Sequence, residues 1–320
     1  EEAARRFPIT IVNAMPKQPV EGSLGEDVFY FPPVRVHHLR NVTFDVSSTL
    51  AFTRDWVINE SGVDFRWAVD SSFLSGASVR VAASERRREE RTVAAVGNAQ
   101  AFYHFLMETL PQMLRVREAF PDTTFVTSQT MSPPAPEILE YFGLAVEIVP
   151  ENTVLECSSF VLCEPFPRDR THPADMDMLA ERLRRMAVRP DEQPERVYVS
   201  RAKSLRRLHD EERLEDWLRD RGYHVARLES LPYAQQVGLL MGATSVVAPH
   251  GAGLANTVVM QPGGSVVELA TTDWWTPAFR RLASVRGHQY TLLEMRSTPE
   301  GPSGSADEAI GLLEPIIERQ

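Results

Sequence analysis

The stretch Ser245-Val246-Val247-Ala248-Pro249-His250-Gly251-Ala252-Gly253-Leu254-Ala255-Asn256 joins an apolar run to a loop of small residues. The apolar run predicts a buried strand, and the residues after the loop predict the start of a helix. A loop at the carboxyl end of a parallel strand directs free backbone N–H groups and the positive end of a helix dipole toward a ligand. We therefore predict an anion site formed by His250, Gly251, Ala252 and Gly253. The alternative is a strand-to-helix turn in which the glycines serve only packing.

Around this loop, strands and helices alternate with connections of a few residues. The expected elements are strand 196–200, helix 210–221, strand 223–228, helix 232–241, strand 245–248, helix 254–260 and strand 265–269. This order is typical of a parallel, doubly wound sheet.

The first half is also expected to be α/β. The run Arg86–Arg91 is predicted to be a solvated loop, and the apolar spacing over 101–120 predicts a helix that Pro111 should bend or split. Residues 122–149 alternate strand, helix and strand.

The chain length of 320 residues suits two domains. We expect an acceptor-side α/β domain at 1–168, a linker with a helix at 169–195 and a Rossmann-like domain at 196–300. A C-terminal helix is expected at 301–320, and packing back onto the first domain is one option for it.

Charge and composition limit the partners. A net charge of -10 argues against a nucleic-acid binder, because phosphate neutralisation needs a basic surface. The cluster from Arg201 to Arg207 can still serve one small anion. No apolar run is long enough to span a membrane, and the N-terminal residues lack the apolar core of a signal peptide. We expect a cytoplasmic enzyme, with peripheral association at the inner face of a membrane left open, and its oligomeric state is not specified by the sequence.

Two further groups are expected beside the small-residue loop. Arg201 follows the strand that ends in Tyr198-Val199-Ser200, and Arg206 and Arg207 lie in the basic loop behind it. Arginine binds phosphate oxygens through its planar fork. Glu268 is a lone carboxylate in an apolar strand, where burial requires hydrogen-bond partners, and two ribose hydroxyls would supply them. The alternatives are a solvated basic loop and a surface carboxylate on an edge strand.

In order and type, these motifs resemble glycosyltransferase family 61. The similarity covers Val197–Ala270, roughly a quarter of the chain. Its matching features are strand-Ser-Arg at 198–201, Arg-Arg at 206–207, the acidic helix start at 209–212, Leu-Pro-Tyr at 231–233, Pro-His-Gly-Ala-Gly-Leu at 249–254 and Pro-Gly at 262–263. A second match is Phe102–Pro111, which is similar to the family's His-containing helix that ends in Leu-Pro.

The resemblance implies a GT-B fold, in which two Rossmann-like domains face each other across a cleft. It implies an inverting, metal-independent enzyme without a cofactor, which takes a nucleotide sugar, UDP favoured, and a glycan or glycoconjugate acceptor. Carried over by motif, the donor-binding residues are Arg201, Arg206 or Arg207, His250, Gly251, Ala252 and Glu268. The high Arg and Ala content and compact size favour a bacterial enzyme of surface polysaccharide synthesis.

Within the resemblance, the catalytic base falls on the helix after residue 101. Inverting transfer needs one base to deprotonate the acceptor hydroxyl. His104 and Glu108 are four residues apart and share a helix face. We favour Glu108, because family members carry an acidic residue there, with His104 orienting it or the sugar. The alternative is a polar surface pair or a satisfied core histidine.

Three other functions have partial support in the sequence or lack their motif. Asp175-Met176-Asp177 spells the Asp-x-Asp of metal-dependent GT-A enzymes, but it falls at a helix start, where acidic residues complement the dipole. A dehydrogenase would need Gly-x-Gly-x-x-Gly after an early strand, which is absent from the sequence. A non-catalytic module that binds nucleotide or sugar stays open. Cys157 and Cys163, bonded or free, have no metal-ligand spacing.

Overall fold

The computed structural model describes residues 34–53, 81–163, 172–271, 275–297 and 304–318, together with the backbone of three short strands. Two of these strands, β1 (Arg5–Pro8) and β2 (Val28–Phe31), form an antiparallel ribbon. Contacts divide the rest into a first unit within Pro32–Arg168 and a second unit within Asp169–Gln320. Each unit is built on one sheet with helices, so the protein is α/β.

The first unit contains a mixed sheet of seven strands in the order β5-β4-β3-β9-β6-β7-β8. The strands β5, β4, β3 and β9 pair antiparallel, whereas β9, β6, β7 and β8 pair parallel. The strands are β3 (Val36–Asp45), β4 (Leu50–Phe52), β5 (Val57–Ile58), β6 (Glu85–Ala95), β7 (Thr124–Thr127), β8 (Val146–Ile148) and β9 (Thr153–Cys163). The unit is α/β as predicted, but half of its sheet is antiparallel, which departs from the Rossmann-like fold that the family resemblance implied.

The charged run Arg86–Arg91 is a strand, so the prediction of a solvated loop was wrong. It belongs to β6, which lies between β9 and β7. Neighbouring side chains pair its charges: Arg86 contacts Glu156 at 2.7 Å, and Arg91 contacts Glu147 at 2.8 Å. Opposite charges facing each other across strands stabilise a sheet, whereas a sequence of like charges alone is typical of a loop.

The helix predicted over 101–120 consists of three pieces. They are α1 (Phe102–His104), a π-helix at Phe105–Thr109 and α2 (Leu110–Ala119). The three pieces follow one another directly, and Thr109 and Leu110 at their second joint keep helical backbone angles. Pro111 has no N–H for the preceding turn, and the winding widens to a π-turn immediately before it. The helix is therefore altered next to the proline but is not interrupted. One further helix of this unit is α3 (Ala135–Tyr141).

The second unit contains a five-stranded, all-parallel sheet in the order β11-β10-β12-β13-β14. Its strands are β10 (Arg196–Val199), β11 (His224–Ala226), β12 (Ser245–Pro249), β13 (Ser265–Thr271) and β14 (Gln289–Met295). The first four confirm the predicted strands to within a few residues. Counted within this unit the order is 2-1-3-4-5, so the chain reverses its direction of winding between β10 and β12.

Helices cover this sheet. They are α4 (Pro173–Arg185), α5 (Glu211–Arg219), α6 (Tyr233–Leu240), α7 (Ala278–Val285) and α8 (Ala306–Ile317), with a 3₁₀ helix at Ala252–Val259. The C-terminal helix α8 packs against α5 and β14 within the second unit and buries Leu313. Helix α4 packs against the 3₁₀ helix and α6, so it is part of the second unit. None of the helices in the described ranges combines the length and the apolarity needed to cross a bilayer.

Candidate functional site

The carboxyl ends of β10 and β12 form a topological switch point. The two strands are parallel neighbours, with Tyr198 paired to Val247, and the chain leaves them toward opposite sides of the sheet order. Ligands of open α/β sheets bind in the crevice beyond such strand ends. Arg201 follows β10 after one residue, and His250-Gly251 follows β12 directly. The structure therefore brings these predicted site residues together.

Arg201 lies against the small-residue loop. Its Nη1 donates a hydrogen bond to the backbone carbonyl of His250, and its Nη2 donates to Ser204 Oγ at 2.7 Å. A Cβ at Gly251 would come 1.7 Å from Nη1 of Arg201. Gly251 has an extended backbone, with φ of 168°, so it is required by space and not by conformation. Its missing side chain is what admits the guanidinium.

Arg201 is a partly buried cation, and the described residues give its guanidinium no carboxylate partner. Among the residues that the structure describes, no acidic side chain forms an ion pair with its guanidinium. Burial, and after it the charge of Arg206, lowers the pKa of Arg201 to about 10. The group is still charged at neutral pH, and an anion that entered the crevice would relieve both effects.

The other two arginines of the basic loop have different surroundings. Arg206 is half-buried, and its backbone N–H donates to Ser204 Oγ at 3.2 Å. The same hydroxyl oxygen also accepts the hydrogen bond from Nη2 of Arg201. Arg207 is exposed and lines a cavity of about 560 Å³ with Leu208 and residues 209–213. Of the two candidates, Arg206 is the one that the structure places with Arg201.

Two buried carboxylates, which sequence reasoning did not select as site residues, hold the base of this loop. Glu211 Oε1 accepts hydrogen bonds from the backbone N–H of Arg201 at 2.6 Å and from Tyr198 at 2.9 Å, and its Oε2 accepts from the N–H of Leu208 at 3.2 Å. Glu215 accepts from Ser200 Oγ at 2.7 Å. Burial raises the pKa of Glu211, and the hydrogen bonds it accepts oppose that effect. The acidic residues at the start of α5 were the sequence signal that could have indicated Glu211.

His250 and Glu268 are paired within the protein. Nδ1 of His250 contacts Oε1 of Glu268, and Tyr290 donates to Oε2 of Glu268 at 2.5 Å. Trp275 Nε1 donates to the Tyr290 hydroxyl at 3.3 Å. The ring of Phe279 lies edge-on to the ring of His250, with 5.3 Å between the two ring centroids. Burial raises the pKa of Tyr290 well above its ordinary value, and the nearby Glu268 adds to that effect.

This arrangement corrects the predicted role of Glu268. Its side chain is 0% exposed, and both of its oxygens already accept hydrogen bonds from His250 and Tyr290. Because no part of the residue is exposed and each oxygen already has a partner in the chain, its burial needs no ribose hydroxyls. The prediction that a buried carboxylate here needs two partners was sound, but both partners come from the chain itself.

The 3₁₀ helix that begins at Ala252 is held at its other end by basic side chains. The bonds are Arg184 Nε to Val259 O at 2.8 Å, Arg184 Nη2 to Met260 O at 2.5 Å, Arg286 Nε to Val258 O at 3.1 Å, and His288 Nε2 to Thr257 O at 3.3 Å. Basic groups complement the negative pole of a helix dipole. A Cβ at Gly253 would come 3.0 Å from Val199 Cγ1, so this glycine lets the helix approach β10 closely. The helix is thus fixed at both ends.

His104 and Glu108 form a pair in the first unit. His104 ends α1 and Glu108 lies in the π-helix, and His104 Nδ1 is 2.9 Å from Glu108 Oε2. Both side chains are mostly buried, with 11% and 16% of their area exposed. Single π-turns within helices are frequent at functional sites. The predicted sharing of one face by these two side chains is confirmed.

The Asp-x-Asp motif has a structural role at its second position. Asp175 is buried in the first turn of α4, and Asp177 forms an ion pair with Arg286 Nη1 at 2.5 Å. Within the described ranges, no group of three or more His, Cys, Asp or Glu side chains is arranged to hold a metal ion. Cys157 and Cys163 are both buried, and no disulfide joins them in the described ranges.

Comparison with known proteins gives one match. Residues 102–267, slightly more than half of the chain, match the family model described as Glycosyltransferase 61. The matched range begins at α1 and ends within β13, so it includes His104, Glu108, Arg201 and His250. No curated protein sequence matches the chain.

Proposed function

The chain belongs to glycosyltransferase family 61 and is a glycosyltransferase, and from this premise we propose that the second unit binds the diphosphate of a nucleotide sugar at the β10/β12 switch point. The observation that carries the proposal is Arg201, whose partly buried guanidinium has no carboxylate partner among the described residues and lies against the glycine of a strand-to-helix loop. A non-catalytic binding module is not retained, because the family is one of enzymes.

The diphosphate would be held by three kinds of donor. Arg201, with Arg206 beside it, supplies the planar fork that suits phosphate oxygens. The backbone at Ala252 and Gly253 begins a helix, where N–H groups and the dipole favour an anion. His250 supplies one ring nitrogen, since the other contacts Glu268. UDP is the favoured nucleotide of the proposal.

We propose metal-independent, inverting transfer. The bond between the anomeric carbon and the phosphate oxygen breaks as the acceptor oxygen attacks from the opposite face, and the electron pair goes to the diphosphate. Donors fixed in advance stabilise the charge that develops there. Arg201, His250 and the helix start are such donors, because packing and hydrogen bonds hold each one in place.

Glu108 is the proposed base, and His104 is proposed to orient it. A single displacement requires one group to take the proton of the acceptor hydroxyl. The contact of 2.9 Å between His104 Nδ1 and Glu108 Oε2 engages one carboxylate oxygen of Glu108. A GT-B arrangement, in which the first unit binds the acceptor, completes the proposal. The acceptor class is a glycan or glycoconjugate, and the proposed setting is bacterial surface polysaccharide synthesis in the cytoplasm.

Calorimetric titration with UDP tests the donor site. We expect UDP to bind in the presence of EDTA with unchanged affinity, and strict dependence on Mn²⁺ would refute the metal-free proposal. Arg201→Ala should weaken binding by about 10- to 100-fold, because a hydrogen bond to a charged group contributes about 1.5–3 kcal/mol. Arg185→Ala is the matched control, since Arg185 is an exposed arginine of the same unit that pairs with Glu181. Equal affinities of the two variants would remove Arg201 from the site.

Turnover assays test the base. A panel of nucleotide sugars and glycan acceptors first identifies a productive pair. Glu108→Ala should then lower kcat by about 100-fold or more while UDP affinity is kept. If Glu108→Ala and His104→Ala both retain full turnover, the assignment of the base to this pair fails.

A further inference from the structure

His250, Glu268 and Tyr290 form a buried chain of hydrogen bonds that ends at the proposed donor site. The three residues come from the ends or interiors of adjacent parallel strands β12, β13 and β14. His250 follows β12, and its backbone N–H donates to Leu269 O at 2.7 Å, which anchors the residue beside Glu268. Glu268 lies within the sheet between Ala248 and Leu292. Glu268 and Tyr290 are therefore part of the sheet, and His250 is the first residue of the loop that leaves it.

The hydrogen bonds define which nitrogen of His250 is offered outward. An ionised carboxylate only accepts hydrogen bonds. With Tyr290 donating to Oε2, Oε1 of Glu268 accepts from Nδ1, so Nδ1 carries a hydrogen. Nε2 has no hydrogen-bond partner among the residues that the structure describes, and 12% of the side chain is exposed. A carboxylate behind a histidine fixes its tautomer and ring orientation in the same way at metal and catalytic sites.

We propose that Glu268 and Tyr290 are positioning residues that hold His250 so that its Nε2 donates a hydrogen bond to the donor's diphosphate. The inference rests on the proposed function of the site. Binding of the diphosphate takes up one proton from water at Nε2, and the imidazolium then lies between the phosphate and the carboxylate of Glu268. Glu268 balances the charge of the ring from behind and does not touch the nucleotide. This role replaces the ribose contact that the sequence predicted.

The charged and titratable groups around the ring come from every element packed on it. Glu268 and Tyr290 lie on β13 and β14, and Arg201 reaches the backbone carbonyl of His250 from the basic loop. Arg280, buried on α7, lowers the pKa of Tyr290 by its charge, although burial dominates and raises it. Glu268 is the acidic group that contacts the imidazole.

Titration of four proteins with UDP and with inorganic pyrophosphate separates this role from a ribose contact. The proteins are the wild type, Tyr290→Phe, His250→Ala and the double variant. Tyr290→Phe should weaken both ligands by about three- to tenfold, because it leaves one buried oxygen of Glu268 without its donor. In the His250→Ala background the same change should have no further effect, since the two residues act through one ring. Tyr223→Phe is the matched control, because Tyr223 is a buried tyrosine of the same unit that contacts Ser245 instead.

Three results would overturn the inference. They are additive losses from Tyr290→Phe and His250→Ala, a loss that affects UDP but spares pyrophosphate, and a loss as large in Tyr223→Phe. The second of these would indicate a contact to the nucleoside. If the wild type binds neither UDP nor pyrophosphate, the proposed function itself fails, which is a different outcome from binding without coupling.

A second measurement does not depend on affinity. The ¹⁵N shifts of histidine, with the His250 signal assigned by its loss in His250→Ala, report which ring nitrogen carries a hydrogen. We expect Nδ1 to be protonated in the free protein and both nitrogens to be protonated with pyrophosphate bound. Glu268→Gln, which keeps an acceptor oxygen but removes the charge, should retain the tautomer and weaken the second protonation. A wild-type ring with hydrogen on Nε2 alone would refute the proposed geometry.

Discussion

Acidification is expected to destabilise the second unit through His288. This side chain is 6% exposed and donates from Nε2 to Thr257 O. Burial, together with the charges of Arg286 and Arg184, lowers the pKa of His288 from 6.5 to about 4. In the unfolded chain the imidazole regains its ordinary pKa of about 6.5. Between these values the unfolded state binds more protons, so stability is full above about pH 6.5 and is lost as the pH falls toward about 4.

The size of this loss follows from the two pKa values. A difference of about 2.5, from 6.5 to about 4, corresponds to about 3–4 kcal/mol at about 1.4 kcal/mol for each pKa unit. That is a large fraction of the roughly 5–15 kcal/mol that holds a domain folded. Protonation would place a charge and a second N–H at Nδ1 of His288, a buried atom without a hydrogen-bond partner among the described residues, beside the 3₁₀ helix whose Thr257 carbonyl Nε2 contacts.

Hydrogen exchange of the β13 and β14 amides across this pH range, corrected for intrinsic rates, measures the effect for the second unit alone. His288→Gln keeps an N–H donor but does not titrate, so its free energy of opening should lack the fall of about 3–4 kcal/mol between pH 6.5 and 4. Parallel pH profiles for wild type and variant would refute the reasoning. Glu89→Gln serves as the control in the first unit. The ion pair with Arg91 lowers the pKa of Glu89 to about 2, so its contribution is lost only below about pH 4.5.

Three substitutions give further checks. Gly251→Ala should abolish UDP binding in calorimetry without unfolding the protein, because its Cβ would displace Nη1 of Arg201, while Gly311→Ala, which meets open space, should leave binding unchanged; equal affinities would contradict this. Glu211→Gln should weaken UDP binding several-fold, because an amide has one acceptor oxygen for the three donors that Glu211 now accepts; an unchanged Kd would argue against it. Arg286→Met should lower the free energy of unfolding by about 1–3 kcal/mol in urea titration, because it leaves the Val258 carbonyl without its donor; unchanged stability would count against the role given to that end of the 3₁₀ helix.

The elements of the second unit could be predicted because their signals are local. Apolar runs and periodic helices, separated by a few residues, predict β10 to β13 and the helices between them. The strand order carries no local signal, because it depends on which edges pair in three dimensions. The placement of β10 beside β12, which defines the switch point, therefore came only from the structure.

Glu268 shows where sequence reasoning about the site stops. A lone carboxylate in an apolar strand indicates that partners must exist, and the structure supplies them. One partner, Tyr290, lies 22 residues downstream on β14, a strand that the sequence did not predict. Its distance along the chain hides a contact that parallel pairing of β13 with β14 makes direct. The sequence predicted a ribose hydroxyl as the partner of Glu268 Oε2, and the structure places the hydroxyl of Tyr290 there.

The prediction of a loop at Arg86–Arg91 was wrong for a related reason. All six residues from Arg86 to Arg91 are charged, and such a composition by itself is typical of a solvent-exposed loop. Their partners Glu147 and Glu156 lie on β8 and next to Cys157 on β9, about 60 residues away in the chain. Pairing across strands turns an unfavourable local composition into a strand, and only the fold brings those charges together.

The π-helix at Phe105–Thr109 has a consequence for how this protein can change in evolution. A π-turn holds an extra residue in an otherwise α-helical path, and each residue of an α-helix turns the chain by about 100°. Loss of a single codon in this segment would restore a regular helix without disturbing the sheet. It would also rotate His104 by about 100° relative to α2. A change at the level of one triplet could thus switch the orientation of the proposed catalytic pair while the fold persists, a step that no point substitution at His104 or Glu108 can reproduce.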